Sequence, residues 1–295
     1  MKGRERLKEK ILKNIFLLSS LTSIFFLMGI TLILFREGLP LFREISLKEF
    51  LWGKFWYPTY RPAEFGILPL MVGSLWVTLG ALIIAVPLGV STAIYLSEIA
   101  NARVRDFLKL SIELLTGIPS VIYGFLGMVL LGPWLQKLFD LPVGLCSLTA
   151  SLLLALMAIP TITTLAEEAI FSVPQDYKEA SYALGATKWE TIIKVTVPAA
   201  LSGIGSAIIL GMGRVMGETM TVLMVAGGAA IIPHSFLQPV RPMTATIALE
   251  MGEAVMGSNH YRALFAIACV LFVWSLILNL TADYLLNKFK FGRAL

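Results

Sequence analysis

Charged residues are scarce in this 295-residue sequence: 15% are Asp, Glu, Lys or Arg, where a soluble domain carries about a quarter. That scarcity excludes an ordinary water-soluble domain. Cysteine is nearly missing. Cys146 and Cys269 both sit in apolar runs with no Cys or His beside them, which excludes a disulfide framework and a zinc site. His234 and His260 lie far apart on stretches that read as loops, and suit surface positions better than a metal centre. No Gly-x4-Gly-Lys-Ser/Thr loop occurs, because Gly53-Lys54 is followed by Phe55 and lacks the hydroxyl that would bind magnesium. No Ser-His-Asp set or carboxylate pair stands out. The chain therefore presents no catalytic residue, no metal ligand and no nucleotide cradle of its own.

What the sequence has in quantity is apolar side chains, 57% of the total. A bilayer-spanning helix needs about 20 mostly apolar residues. Six windows meet that need: 14–35, 67–96, 108–131, 146–167, 199–228 and 262–286. The second and fifth exceed it, which predicts tilt or extension past the bilayer. The first follows a basic leader, residues 1–13. Its apolar stretch is too long for a secretory signal core and ends without a small-x-small cleavage site, so an uncleaved helix is expected.

Net charge is +5, and the basic residues gather at the ends of apolar runs, which points to lipid headgroups and away from nucleic acid. With the N-terminus inside, 15 of the lysines and arginines fall on cytoplasmic pieces and 8 on external ones, leaving Arg214 alone within a span. That bias predicts a multi-pass protein of a bacterial or archaeal plasma (inner) membrane, with both termini cytoplasmic.

Residues 168–198 are the longest cytoplasmic piece between spans. Pro174 suits the start of a short helix and Gly185 its left-handed stop. Thr187-Lys-Trp-Glu190 is a capping box that opens a second short helix, closed by Pro198. The product is a helix–Gly–helix elbow that offers Tyr177, Tyr182, Ala183 and Trp189 for apolar contact. Such an elbow suits either the lipid surface or a protein partner.

The fifth span holds Arg214 and Glu218. An arginine at mid-membrane costs about 2.5–3.5 kcal/mol on insertion scales, so it should face the bundle interior and have a partner. On a continuous helix Glu218 lies one turn along the same face, at ion-pairing distance. Gly213 and Gly217 form a small-xxx-small strip that would let another helix approach closely. Two readings stay open. The pair neutralises itself and holds helices together, or it lines the pathway of an oxyanion, which a guanidinium grips with two parallel hydrogen bonds. A carboxylate nearby would repel sulfate yet accept a hydrogen bond from the protonated oxygen of hydrogen phosphate. In the third span Pro119 should kink or break the helix. Ser120 and Tyr123 then face either the pathway or a packing kink. The external stretch 227–261 opens with small residues and prolines, then reads as helical over 243–256 with Glu250 and Glu253.

Several stretches resemble a known family. Glu179-Ala180-Ser181, then Gly185, then Val195-Thr-Val197-Pro198 is similar to the EAA loop of importer-type ABC permeases. Gly213-Arg-Val-Met-Gly-Glu-Thr219 resembles the Gly-Arg-Ala-x-Gly-Glu-Thr stretch of phosphate permeases, and residues 65–74 and 116–124 agree with it. The long first external loop, with Trp56-Tyr-Pro58 and Phe65-Gly66, favours the C-type (PstC) branch over its A-type sibling.

The resemblance implies an all-α, six-span integral membrane permease of the MetI-like fold that imports inorganic phosphate. An N-terminal unit, 1–66, would precede a core five-helix permease domain, 67–295. Arg214, Glu218 and Ser120 would line the substrate pathway. The elbow would couple to the motor through Glu179, Ala180, Gly185, Ala186, Thr187 and Trp189. The implied partners are an A-type permease as heterodimer, two ATP-binding subunits that keep the ATP and magnesium, and an external phosphate-binding protein. The rival readings are a permease for molybdate, tungstate or sulfate on the same architecture, and the A-type sibling. A lipid-acting enzyme would need a nucleophile or metal cluster at the interface, and an ion-driven transporter would not need the elbow.

Overall fold

The computed structural model describes the backbone of residues 2–291 and the side chains of residues 12–284. The leader and tail charges used for orientation, Lys2 to Lys10 and Lys288 to Lys290, lie outside the described side chains, and Arg293 lies outside the described residues altogether.

Six helical stretches are long and apolar enough to cross a membrane: Leu12–Arg43, Leu68–Ile99, Ser120–Leu138, Ser147–Phe171, Lys188–Gly217 and Asn259–Tyr284. In element order, α1 (Lys2–Gly38) leads to a short α2 (Leu47–Trp52) and then to α3 (Leu68–Ile94), which a π-turn prolongs over Tyr95–Ile99. Then come α4 (Ala102–Thr116), α5 (Ser120–Leu126), α6 (Gly132–Leu138) and α7 (Ser147–Phe171). The expected elbow is α8 (Gln175–Ala183) and α9 (Lys188–Thr191). After it stand α10 (Val197–Gly217), α11 (Met220–Val225), α12 (Met243–Glu250) and α13 (Asn259–Phe291).

Two expected spans are corrected. The third does not begin at residue 108: the chain is interrupted at Gly117-Ile118-Pro119, and α4 is a separate amphipathic helix that buries no residue. Pro119 lacks an N–H and forces its predecessor out of the helical region, so the span starts afresh at Ser120. The fifth does not run to residue 228. It stops at Gly217, Glu218 turns extended (φ −70°, ψ 130°), and only the short α11 follows.

The central post is α7, with 61% of its most apolar window buried inside the chain, while the window of the first span is wholly unburied. Small residues make this possible. A Cβ on Gly80 of α3 would stand 2.5 Å from the Ser151 hydroxyl of α7, and the hydroxyls of Ser151 and Thr163 donate to the carbonyls of Val77 and Gly89. Between them, these two bonds pin α3 and α7 together at two heights. On the other side α10 meets α7 through Gly203, Ala207 and Gly211, whose added or existing β-carbons face Ala169 and Ile162. That strip, four residues apart each time, is the working small-xxx-small face. Gly213 and Gly217 are not part of it: among the described residues nothing beyond their own helix lies within 4 Å of where their Cβ atoms would stand.

The first span packs by its last turn on α13, where Gly38 closes on Ala266 and Cys269. Beyond it the loop between the first two spans folds back. A two-stranded hairpin pairs Trp56 with Phe65 and Tyr57 with Glu64, and Trp56 and Phe50 are buried with Leu41, Ile67, Met243 and Leu264.

Candidate functional site

Two helix interruptions meet at mid-depth. The first lies between α4 and α5 and the second between α10 and α11. A broken helix in lipid must find other partners for its freed peptide groups, and side chains supply them here. The Tyr123 hydroxyl donates to the carbonyl of Leu115 at 2.8 Å, closing the first break upon itself. The Thr244 hydroxyl of α12 donates to the carbonyl of Glu218 at 2.9 Å, and the Thr221 hydroxyl donates to the carbonyl of Ser120 at 3.0 Å.

Arg214 lies in the last turn of α10, where its cationic side chain is suited to the negative end of the helix dipole. Its Nη1 reaches the Thr161 hydroxyl of α7 at 3.4 Å. Thr161 stands between Ser147 and Phe171, about 21 Å and 15 Å from the two ends of α7 at 1.5 Å per residue. Arg214 thus lies level with the middle part of α7, yet its side chain is exposed on this chain. The expected Arg214–Glu218 ion pair does not form among the described residues. The i,i+4 geometry needs a continuous helix, and the chain leaves the helix between the two residues. The Glu218 carboxylate instead accepts from the backbone N–H of Thr221 at 3.4 Å, at the start of α11. It also borders a narrow crevice with Ser74, Thr78 and Thr244 that holds about one water's worth of space, 10 Å³.

Of the residues expected in the pathway, the structure brings Ser120, Glu218 and Arg214 to the same two breaks. It adds Thr161, Thr221 and Thr244, which the sequence did not single out. Their signal was available: hydroxyl residues at Thr161 after Pro160, and at Thr221, interrupt otherwise apolar runs.

The elbow between the fourth and fifth spans forms as its local signals require. Helix α8 follows Pro174, Gly185 takes φ +83°, and Thr187 and Glu190 make both bonds of the capping box. Ser181 and Thr191 are buried and share a 2.9 Å hydrogen bond that ties the two helices. Glu179, Ala180, Gly185, Thr187 and Trp189 are exposed, Ala186 is half-buried, and Tyr177 and Leu184 also stand out in solvent. An apolar patch of this kind, held rigidly and left uncovered, fits a protein partner.

The opposite end of the bundle is organised by Glu250, whose carboxylate accepts from Trp56 and pairs with Arg241 at 2.9 Å and His260 at 2.8 Å. It ties the hairpin to α12 and α13 beside a cavity of about 550 Å³. His260 is accordingly half-buried and partnered, not the surface residue the sequence suggested.

The family model for the binding-protein-dependent transport system inner membrane component matches residues 85–290, a stretch that contains both breaks and the elbow. The chain belongs to that family. Among its curated relatives, the chain is 39% identical over 250 residues to the probable ABC transporter permease protein YqgH of Bacillus subtilis, covering 85% of this chain and 81% of that protein. It is 34% identical over 258 residues to the phosphate transport system permease protein PstC of Mesorhizobium japonicum, covering 81% of this chain and 78% of that one.

Among solved structures, the inward-facing MetNI methionine ABC transporter aligns with a TM-score of 0.57 at 20% identity, over 76% of this chain and 94% of that chain. A bacterial alginate ABC transporter, in complex with its alginate pentasaccharide-bound periplasmic protein, aligns with a TM-score of 0.63 at 16% identity, over 93% and 95%. At such identities the likeness is one of fold. This member of the binding-protein-dependent permeases has the MetI-type importer fold and is a multi-pass membrane transport subunit.

Proposed function

We propose that this chain conducts inorganic phosphate into the cytoplasm as a permease subunit of an ATP-driven importer. The observation that carries the reading is the setting of Arg214: an uncovered guanidinium at mid-membrane depth, beside two helix breaks rich in hydroxyls. Exposure to lipid would be costly for that group, so its face belongs to a pathway or a partner subunit. The relatives named for phosphate transport support phosphate as the anion.

Chemically, Arg214 supplies paired N–H donors for two phosphate oxygens. Glu218, close by on the extended residue after the helix, accepts a hydrogen bond from the protonated oxygen of hydrogen phosphate and repels fully ionised sulfate. With no ion pair between them, each is available to the passing anion. Breaks in α4–α5 and α10–α11 leave room for backbone and hydroxyl groups to replace water around it.

The open face of α10 at Gly213 and Gly217 is where a second, A-type permease packs, placing a second set of breaks across the pathway. Two ATP-binding subunits seat on the exposed elbow through Glu179, Ala180, Gly185, Ala186, Thr187 and Trp189, and keep the nucleotide and magnesium. An external phosphate-binding protein delivers cargo to the outer face of the plasma membrane, and both termini lie in the cytoplasm. ATP-driven closure of the motor pushes the elbows and turns the pathway from inward- to outward-facing. The test is uptake by the assembled complex carrying Arg214→Ala. Lost uptake with the complex intact supports the site, and normal uptake refutes it.

A further inference from the structure

Glu98 and Lys178 stand 80 residues apart in sequence and 2.6 Å apart in space. Both side chains are withdrawn from water, 8% and 13% exposed. Glu98 sits in the π-turn that prolongs α3, and Lys178 sits on α8, the first helix of the elbow. Apart from this contact α8 has little hold on the bundle, since it buries only Ser181, which faces α9. Among the described residues no other ion pair joins the elbow to a membrane helix. The pair lies at the wall of a cleft of about 470 Å³, lined also by Ser97, Phe171, Gln175 and Tyr182, which separates the rest of the two elements.

The π-turn is held from its other side as well. Arg105 of α4 donates to the carbonyls of Leu96 at 2.8 Å and Ser97 at 3.4 Å. From that turn the helix runs unbroken through Leu68–Ile99 to Ser74 and Thr78, which line the crevice beside Glu218 and Thr244. A charge pair shielded from water resists separation far more than an apolar contact resists sliding. A push on α8 therefore has a direct route to α3 through this pair, beside the route through α9 into α10.

We infer that the Glu98–Lys178 pair is the strut that carries displacement of the elbow into α3 and so to the crevice at Glu218. Both are positioning residues; neither touches the anion. The inference rests on the coupling role of the elbow proposed above.

The experiment uses the full complex in proteoliposomes with its binding protein, and compares Lys178→Met, Glu98→Gln and the exchanged pair Lys178→Glu with Glu98→Lys. Uptake of labelled phosphate is measured against ATP hydrolysed. Each single variant is expected to lower uptake per ATP by about tenfold, within the range of a coupling between sites, while hydrolysis continues. The exchanged pair is expected to restore most of the ratio, which a merely structural role for either residue would not do. An unchanged ratio in the single variants, or a loss that the exchange leaves unrepaired, overturns the strut. A Trp189→Cys cross-link to the ATP-binding subunit separates the two claims. Failure of that cross-link in the otherwise unaltered complex removes the elbow reading and the strut with it. A cross-link that forms while the single variants keep a normal ratio removes the strut alone.

Discussion

The hydroxyl of Thr221 donates to the main-chain carbonyl of Ser120 at 3.0 Å, joining the two broken helices of the bundle to each other. Thr221 is fully buried, and its oxygen also lies 3.4 Å from the Met157 sulfur of α7. Neither break is therefore a loose end. Each frees backbone groups that lipid cannot satisfy, and each is closed by a side chain from another segment.

Thr221→Val keeps the volume of this junction and removes its donor. It is expected to destabilise the chain by about 1 kcal/mol, the net worth of one hydrogen bond, while Thr221→Ser keeps the bond and most of the stability. Thermal unfolding of the purified complex in detergent checks both. Equal midpoints for the valine variant and the unaltered chain would show that the junction contributes nothing.

Glu218→Gln keeps the size of the side chain and its ability to accept from Thr221, but removes the charge. Selectivity is expected to relax: sulfate should compete for uptake about tenfold better, because discrimination here depends on repelling the wrong anion. Competition curves against labelled phosphate measure it. Sulfate competition unchanged from the original chain would remove the discriminating role of Glu218.

Gly185 has open space around its missing side chain and a φ of +83°, so Gly185→Ala acts through the backbone alone. The left-handed conformation costs a residue with a Cβ about 1–2 kcal/mol. Reduced co-purification of the ATP-binding subunits and reduced uptake are the expected outcome. Full retention of both would mean that the elbow tolerates a different shape.

How far these features could be read from the sequence varies with the range of the interaction that sets them. The elbow was legible because its signals are local: Pro174, Gly185 and the Thr187–Glu190 box act within a few residues and form as expected. The apolar runs gave six spans, but not where two of them stop. Pro119 marked its break, whereas the end of α10 at Gly217 carries no proline. That end depends on Thr244, 26 residues away, accepting the role of partner to the Glu218 carbonyl. The expected Arg214–Glu218 pair assumed an unbroken helix there and failed for that reason. The Gly213 and Gly217 strip meets no helix among the described residues. Two small-residue strips run along α10, and only the folded bundle shows that Gly203, Ala207 and Gly211 are the ones facing α7. The Glu98–Lys178 and Trp56–Glu250 contacts are long-range, and no spacing in the sequence announces them.

The most direct measurement is ATP-dependent uptake of labelled phosphate into proteoliposomes containing the assembled complex, with arsenate, sulfate or molybdate as competitors. Uptake that requires ATP, is blocked by arsenate and ignores sulfate and molybdate is the predicted result. Uptake of a different oxyanion in place of phosphate, or phosphate uptake indifferent to ATP, would contradict it.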